Sequence, residues 1–343
     1  MTLLLNTLYL TSPETQLFKE GETVLVKIER EKRLQVPIHH LQAITCFGPV
    51  YLSPELMHLC LERDVAVSFM SERGRFLGRL EGLDHSGAML RVNQHRSHAD
   101  VAASLRIAKS IVQGKLANQR HVLQRSAREA EPEAAADLGR SADRIQQVQG
   151  QVDRMETHDQ VRGCEGEGAA LYFDMFGLMV RQQQASFPWK GRNRRPPKDA
   201  VNALLSFGYA LLMGDCVSAL QSVGLDPALG FLHAFRPGRP ALALDLMEHL
   251  RPLVADRLAL TLINNQQVSS KGFREADGGA VEMEDETRKL VIQAHQQRKA
   301  QTIQHPFLNQ EVPWGLVPLL EARLLARTLR GDLDAFPPFH PRG

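Results

Sequence analysis

The sequence predicts a mixed α+β fold with two domains, a small amino-terminal β-sandwich followed by a larger all-α domain. The chain of 343 residues exceeds the usual length of one domain. Its first part alternates apolar and polar residues in short segments, whereas the rest repeats apolar residues every three or four positions. The change falls near residue 95, so we predict domains over residues 1–95 and 96–343.

Short strands account for most of the first domain. We predict them at residues 2–10, 23–28, 33–37, 43–46, 65–70 and 75–80. Turn residues such as Glu20, Gly21 and Glu22 separate these segments. One helix is expected after Ser53, which can cap a helix, because Pro54 suits the first helical position. The expected result is a β-sandwich with one inserted helix.

Helices account for nearly all of the second domain. The first is predicted at residues 101–124, where Val101, Leu105, Ala108 and Val112 mark one apolar face. Further helices are predicted at residues 135–155, 169–184, 199–223, 243–250, 252–264, 284–300 and 317–329.

Composition excludes several classes of protein. The 41 basic and 39 acidic residues give a net charge of +2, so any site for a polyanion must be local. The longest apolar run, residues 204–213, is too short to span a membrane, and no basic region precedes an amino-terminal apolar stretch. Four cysteines form no CxxC pair and suit a reducing compartment: Cys46, Cys60, Cys164 and Cys216. We therefore expect a cytoplasmic protein with no membrane partner.

Three segments of the helical region place polar side chains where a core would not use them. Glu165 precedes the helix predicted at residues 169–184, so its carboxylate either faces the domain interior or is favoured by the helix dipole. His233 stands between apolar residues, where a histidine is more often a buried core group than a ligand. Asp245 and Glu248 share one helix face, which is either solvated or holds a cation between them. Together these side chains form an oxygen-rich set suited to Mg²⁺ or Mn²⁺.

Basic residues gather between positions 182 and 198, where no acidic residue occurs. They are Lys190, Arg192, Arg194, Arg195 and Lys198. With Trp189 beside them they would hold a phosphate backbone and stack a base, although a solvated loop is the alternative. The next helix carries a polar stripe that would either orient metal ligands or bond neighbouring helices: Asn202, Ser206 and Tyr209.

These motifs together resemble a known family, the endonuclease and integrase of CRISPR adaptation called Cas-one, and specifically its type I-C branch. The resemblance is carried by RGCEGE at 162–167, PKDAVNALLSFGY at 197–209, GFLH at 230–233 and LALDLME at 242–248. The carboxyl end, LLARTLRGDL at 324–333 followed by FPPF at 336–339, resembles that of the same subtype. The resemblance covers essentially the whole chain.

The resemblance implies a catalytic role for the helical domain. Glu165, His233 and Glu248 would bind Mg²⁺ or Mn²⁺, and Asp245 would be either a ligand through water or a helper that holds His233 in place. A 3′-hydroxyl of incoming DNA would attack a phosphodiester at the boundary of a CRISPR repeat. Two departures from the family are visible, since residues 168–171 lack a usual arginine and Ala234-Phe235 follows the histidine.

The resemblance also implies partners. Members of the family form a homodimer through the β domain, act with the small protein Cas-two, and bind double-stranded prespacer DNA and the CRISPR repeat and leader. The type I-C setting adds the nuclease Cas-four, and the cell would be prokaryotic. Two other classes stay open, a metal-dependent nuclease on branched or repair DNA and a non-catalytic DNA-binding scaffold.

Overall fold

A strand-rich amino-terminal region precedes a larger helical region, as the sequence predicts. A computed structural model of the chain describes residues 2–4, 7–10, 12, 14–41, 43–70, 76–80, 86–193, 196–276 and 278–341. The predicted strand at 75–80 therefore begins one residue before a described segment.

Nine strands form the amino-terminal region as described. They are β1 (Thr2–Leu4), β2 (Thr7–Leu10), β3 (Thr15–Glu20), β4 (Thr23–Ile28), β5 (Glu31–Pro37), β6 (Ala43–Phe47), β7 (Tyr51–Leu52), β8 (Ala66–Met70) and β9 (Phe76–Leu80). One sheet has the order β1-β2-β6-β8-β9 and the other has the order β5-β4-β3-β7. The first helix, α1 (Pro54–Glu62), follows β7, and the side chain of Ser53 accepts a hydrogen bond from the backbone of Leu56.

The two sheets and α1 enclose one apolar core. Leu17 and Val26 from one sheet, Ile44 from the other, and Leu56 and Leu59 from α1 are buried together. The sandwich with its inserted helix is thus as predicted, but residues 2–10 form two antiparallel strands instead of one. The sequence prediction also missed β3 and β7, which pair with each other.

The remaining helices make up most of the second region. They are α2 (Ser86–Ala99), α3 (Val101–Ala127), α4 (Pro132–Gln151), α5 (His158–Asp174), α6 (Phe176–Met179), α7 (Ala200–Val223), α8 (Ala241–Glu248), α9 (Arg257–Asn264), α10 (Asp285–Ala300) and α11 (Val317–Arg330). A π-helical turn, Pro252–Asp256, leads into α9. Two hairpins that the sequence did not predict interrupt the helices: β10 (Phe273–Ala276) with β11 (Ala280–Met283), and β12 (Thr302–His305) with β13 (Gln310–Pro313).

The change from strand to helix lies before the predicted boundary. Strand β9 ends at Leu80 and α2 begins at Ser86, so residues 95 and 96 lie inside α2. The amide of buried Gln94 donates to the carbonyls of Asp226 and Leu229 at 2.9 and 3.1 Å. Helix α2 therefore packs with the helical region, close to the segment that carries His233.

Helix α7 lies at the centre of the helical region. It is long and apolar enough to cross a membrane by length and composition, and half of its most apolar window is buried inside the protein. This helix is longer than the ten-residue apolar run seen in the sequence, because Asp199 caps its start through a hydrogen bond from the Asn202 amide and Gly224 ends it. Ser218 accepts a 3.0 Å hydrogen bond from the backbone of Phe76, which ties α7 to the β region. Such contacts are typical of a core helix.

Candidate metal centre

One lysine and two glutamate side chains meet where α3, α5 and α8 pack together. The Lys115 ammonium from α3 lies 2.7 Å from an Oε2 oxygen of Glu248 on α8. It also pairs directly with Glu165 on α5. Only 6% of the Lys115 side chain and 2% of the Glu248 side chain are exposed. A buried lysine thus bridges two carboxylates that the sequence predicted as metal ligands.

Glu248 stays ionised in spite of its burial. Burial alone would raise its pKa, but the Arg251 guanidinium and the Lys115 ammonium beside it lower the pKa to about 2. Arg251 donates from Nη1 to Glu248 Oε1 over 2.6 Å. Two fixed cations therefore compensate the desolvation of this carboxylate, as a buried charge requires.

His233 is held by one carboxylate and faces another. Its Nδ1 lies 2.7 Å from Asp245 Oδ1, and its Nε2 lies 3.6 Å from Glu248 Oε1. In the neutral tautomer that donates from Nδ1 to Asp245, the lone pair of the imidazole is on Nε2. The imidazole nitrogen that can bind a cation therefore points toward Glu248.

Asp245 is fully buried, and both of its oxygens are occupied by donors. Oδ2 accepts from the backbone of Phe231 and Leu232, and Oδ1 accepts from the backbone and the ring of His233, over 2.5 to 2.9 Å. A carboxylate with this many donors has no lone pair directed at a cation. Of the two roles predicted for Asp245, the geometry fits the helper that holds His233 in place.

The loop of His233 is braced from two further helices. Arg162 on α5 donates to the carbonyl of Leu232 over 3.2 Å. His98 on α2 lies with its Nδ1 2.7 Å from the carbonyl of Gly230. Gly230 itself has no room for a side chain, because a Cβ there would lie 2.7 Å from Asp245 Oδ2. The backbone that presents His233 is therefore fixed on three sides.

Glu165 is not at the start of a helix, as the sequence prediction had it, but inside α5. The helix begins earlier because Thr157 caps it and exchanges hydrogen bonds with Gln160 in a capping box. Gly168 does not end the helix; it lets α3 approach, since a Cβ there would lie 2.1 Å from Leu116. The predicted helix at residues 169–184 was therefore placed too late. The pairing of Asp245 and Glu248 on one helix is as predicted, but both are buried and neither is solvated.

The donors fit a hard divalent cation. His233 Nε2 and Glu248 Oε1 are 3.6 Å apart, close to the about 3 Å between neighbouring donors on one octahedral Mg²⁺. Within the described ranges no three or more His, Cys, Asp or Glu side chains stand ready in metal-binding geometry. The ammonium of Lys115 lies between Glu165 and Glu248 and balances their charge. Binding of a cation by Glu165, His233 and Glu248 stays a prediction, and it requires Lys115 to move aside.

The predicted basic loop is only partly a surface feature. Lys190 and Lys198 are exposed, whereas Arg194 and Arg195 lie outside the described residues. Arg192 is half-buried and bonds within the protein, and a DNA contact from it stays a prediction. Its guanidinium donates to the Asn202 side chain over 2.6 Å and lies 5.2 Å from the centre of the Tyr209 ring.

Trp189 also makes contacts within the protein. Its indole nitrogen donates to the carbonyl of Phe173 over 2.8 Å, and its ring packs on Phe173 and Phe176 at centroid distances of 6.0 and 4.8 Å. The polar edge of the ring is thus engaged within the protein. Stacking of this ring on a DNA base stays a prediction.

The polar stripe of α7 holds the basic loop in place and contacts the guanidinium groups of Arg192 and Arg251. Asn202 is buried and donates to the carbonyl of Gly191 over 2.9 Å, while Ser206 accepts from Arg192. Tyr209 lies between Arg192 and Arg251, and its hydroxyl donates to Asp256 over 2.7 Å. Among the bonds of the described residues, none joins Asn202, Ser206 or Tyr209 directly to Glu165, His233 or Glu248. The stripe reaches Glu248 only through Arg251.

Sequence reasoning missed the two cations of the site. Lys115 occupies a position on the apolar face of α3 between Val112 and Leu116, where a lysine is rare unless it is paired. That signal was available in the sequence. Arg251 follows α8 three residues after Glu248, the spacing of a helical ion pair, and this signal was available too.

Comparison with known sequences places the chain beside one family. The family model described as CRISPR associated protein Cas1 matches residues 8–297. CRISPR-associated endonucleases Cas1 of Rhodospirillum rubrum and Moorella thermoacetica are each 46% identical over 347 residues, with 99% of both chains covered. A CRISPR-associated exonuclease Cas4/endonuclease Cas1 fusion of Geobacter sulfurreducens is 35% identical over 338 residues, which cover 98% of this chain and 60% of the fusion.

Solved structures share the fold over nearly the whole chain. A CAS1 protein from Thermotoga maritima superposes with a TM-score of 0.76 at 26% identity, covering 95% of this chain and 96% of that one. A casposase bound to integration product gives 0.79 at 21% identity, covering 98% and 99%. A chain of a partial Cas6-RT-Cas1–Cas2 complex gives 0.74 at 23% identity with the same coverage. At these lower identities the last two likenesses concern the fold alone.

Proposed function

Because the chain belongs to the Cas1 (Cas-one) family of CRISPR-associated proteins, we propose that it is a metal-dependent DNA endonuclease and integrase that inserts short foreign DNA into a CRISPR array. The single observation that supports this most is the held imidazole. Asp245 fixes His233 so that its free nitrogen faces Glu248, beside the carboxylate of Glu165. One fixed imidazole with two carboxylates is the arrangement of a site for Mg²⁺ or Mn²⁺.

The proposed reaction is attack of a DNA 3′-hydroxyl on a phosphodiester at the edge of a repeat. A divalent cation on Glu165, His233 and Glu248 would supply Lewis-acid screening of the phosphate charge. A hydrogen bond from Nδ1 to Asp245 would favour the neutral tautomer of His233 that has its lone pair on Nε2. Lys115 and Arg251 keep Glu248 ionised at neutral pH, which a ligand carboxylate requires. Water in place of the 3′-hydroxyl would nick DNA at the same site.

DNA would be held by charge and not by base recognition. Lys190 and Lys198 are exposed near the loop that Asn202 fixes, and ammonium groups contact phosphates regardless of sequence. Arg194 and Arg195 stay predicted DNA contacts from the sequence. Such contacts suit a protein that captures foreign DNA of any sequence.

We further propose the assembly and the subtype. The protein would dimerise through its β region and act in the cytoplasm of a prokaryote with the small protein Cas2 (Cas-two). A structure named as a Cas1–Cas2 complex shares the fold, and a fusion of Cas4 (Cas-four) with Cas1 is among the relatives, which supports Cas2 and Cas4 as partners. The carboxyl end at residues 324–333 and 336–339 resembles that of the type I-C branch and supports this subtype. Copurification with each candidate partner and sedimentation of the complex would test these assignments.

A strand-transfer assay tests the activity. Purified protein receives a prespacer duplex with free 3′ ends, a supercoiled plasmid with leader and repeat, Mg²⁺ or Mn²⁺, and Cas2 where needed. We expect joined products from the wild type and none from His233→Ala, whereas Asp245→Asn loses about 10- to 100-fold because it only orients the imidazole. His58→Ala, which changes an exposed histidine on α1, is the matched control and stays at the wild-type rate.

Each other outcome of the assay would indicate a different function for the protein. Transfer by His233→Ala at the wild-type rate would mean that the site is wrong. Cut strands without joined strands would favour a nuclease on branched or repair DNA. Absence of both, together with no Glu165-dependent Mn²⁺ binding in calorimetry, would leave a DNA-binding scaffold.

A further inference from the structure

The segment that ends in His233 has no helix or strand of its own. It consists of residues 226–233 and is called the His233 segment below; it lies between α7, which ends at Val223, and α8, which begins at Ala241. Its residues 229–232 are buried. Buried backbone groups need hydrogen-bond partners, and this segment has no regular structure to supply them. Its shape therefore depends on side chains from neighbouring helices.

Four consecutive carbonyls of the His233 segment, those of residues 229–232, each face a side chain from another helix. On α2, Gln94 and His98 lie 3.1 and 2.7 Å from the first two carbonyl oxygens. Ser104 on α3 and Arg162 on α5 lie 3.4 and 3.2 Å from the next two. A carbonyl oxygen only accepts, so each of these side chains donates. The backbone before His233 is thus held by donors from three helices.

Gln94 makes three hydrogen bonds with the segment. Its amide nitrogen donates to the carbonyls of Asp226 and Leu229 over 2.9 and 3.1 Å, and its Oε1 accepts from the backbone amide of Asp226 over 2.9 Å. The side chain is fully buried. A shift of the segment would leave these polar groups unpaired away from water, which costs more than an ordinary hydrogen bond contributes. Gln94 therefore fixes the turn from Asp226 to Leu229.

His98 lies one helical turn beyond Gln94 on the same face of α2. Its Nδ1 donates to the carbonyl of Gly230 over 2.7 Å. The two side chains thus hold adjacent carbonyls, those of the residues four and three positions before His233. His95, which lies on another face of the same helix, is exposed. One face of α2 is therefore built to hold the His233 segment.

We propose that Gln94 and His98 are positioning residues of the metal centre, which fix the backbone so that His233 and Glu248 can bind one divalent cation. The separation of 3.6 Å between His233 Nε2 and Glu248 Oε1 requires the imidazole to start from a fixed backbone. Loss of a group that supports a metal ligand lowers metal affinity by about 10- to 100-fold. The proposal rests on the proposed function, since it requires a cation on these two side chains.

Calorimetric titration of the full chain with Mn²⁺ tests the proposal. Gln94→Met keeps the length of the side chain and removes its three hydrogen bonds, so we expect Mn²⁺ binding to weaken by about 10-fold. His98→Ala should weaken it to a similar extent. His98→Asn should bind nearly as the wild type does, because the amide nitrogen of Asn is also attached to Cγ and can replace Nδ1 as the donor. His95→Ala is the matched control on the same helix and should keep the wild-type affinity.

Gln183 supplies a control for a purely structural effect. Its amide nitrogen donates to the carbonyls of Ile263 and Val268, each over 3.0 Å, outside the His233 segment. Gln183→Met should lower the urea midpoint of unfolding and leave Mn²⁺ affinity unchanged. Gln94→Met should lower both. His98 is only half-buried, so His98→Ala keeps the test available if Gln94→Met does not fold.

Hydrogen exchange in EDTA adds a readout without metal. The amides of residues 231–233, which donate to Asp245, should exchange faster in Gln94→Met and His98→Ala than in the wild type, and at the wild-type rate in His95→Ala.

The outcomes separate this inference from the proposed function. Wild-type Mn²⁺ affinity in both Gln94→Met and His98→Ala would overturn the inference and leave the metal centre standing. An equal loss of affinity in Gln183→Met would also overturn it, because the effect would then follow stability alone. Absence of Mn²⁺ binding by the wild type would overturn the proposed function and this inference with it.

Discussion

At the scale of single residues, the site depends on a buried lysine. Lys115 bridges Glu165 and Glu248, while Arg251 provides a second cation to Glu248. Without such cations, the carboxylates of buried Glu248 and of partly exposed Glu165 would repel each other. The chain can therefore fold with both carboxylates in place and no metal ion between them. A divalent cation that takes the place of the ammonium would enter a site that is already shaped.

Replacement of Lys115 by methionine tests this role. Removing one partner of a buried ion pair costs about 3–5 kcal/mol, and Glu165 and Glu248 would then face each other without the ammonium. We expect a loss of that size in the free energy of unfolding, measured by urea denaturation in EDTA. Mn²⁺ should restore part of it, because the cation would balance the same carboxylates.

The control for this change lies on the same helix. Lys109 on α3 donates to the Asp153 carbonyl near the surface, so Lys109→Met should change stability by less than about 0.5 kcal/mol. An unfolding midpoint of Lys115→Met equal to that of Lys109→Met would show that the buried ammonium does not stabilise the site.

At the scale of elements, the loop before α8 is shaped by one glycine. A Cβ on Gly230 would lie 2.7 Å from Asp245 Oδ2 and 2.8 Å from the carbonyl carbon of Ala241. The loop can therefore approach the start of α8 closely enough for Asp245 to accept hydrogen bonds from three consecutive backbone amides. The position of His233 thus depends on the close packing of two elements and not on its own side chain alone.

Substitution of Gly230 should disturb the site, although this residue is not one of the predicted metal ligands. Gly230→Ala forces Asp245 or α8 to shift, and overpacking of this kind costs about 1–3 kcal/mol. We expect this loss in thermal or urea unfolding, together with weaker Mn²⁺ binding in calorimetry. Gly139→Ala is the control, because no atom lies within 4 Å of its Cβ in α4 and the change should stabilise by about 0.5–1 kcal/mol. Wild-type Mn²⁺ affinity in Gly230→Ala would contradict the account of the loop.

At the scale of the whole molecule, the carboxyl-terminal segment returns to the back of the site. Phe339 is fully buried against His305 and Trp314, at centroid distances of 5.3 and 5.4 Å. Its backbone donates to Glu321 over 2.9 Å and accepts from Asn118 over 2.8 Å. Asn118 lies on α3 one turn after Lys115, so the end of the chain supports the helix that carries the bridging lysine.

Truncation of this ring measures how much the segment contributes. Phe339→Ala should cost about 3–5 kcal/mol in the free energy of unfolding, because a buried aromatic side chain leaves a cavity. Phe307→Ala removes a half-exposed ring and should cost much less. Urea denaturation of both variants makes the comparison, and equal midpoints would mean that the segment is not part of the core.

The local pattern of apolar residues was enough to predict much of the fold. The alternation in residues 23–28 and the helical repeat from Val101 gave elements close to those observed, because burial of one face determines them locally. The hairpins β10–β11 and β12–β13 were missed, since each of their strands has only four residues, too few for a clear alternating pattern. Helix α5 was placed too late because the predicted helix began only at Ala169, while a capping box at Thr157 starts the helix earlier.

From the sequence by itself, four side chains are predicted to carry chemistry, because their spacing and residue types are chemically specific: Glu165, His233, Asp245 and Glu248. Only the tertiary structure decided what each of them contacts. It directed both oxygens of Asp245 to the loop of His233, brought Lys115 from a distant helix between two carboxylates, and turned Arg192 and Trp189 inward. The physical reason is that residue type fixes the chemistry available to a side chain, whereas burial and the nearest opposite charge, which come from distant parts of the chain, fix how that chemistry is used.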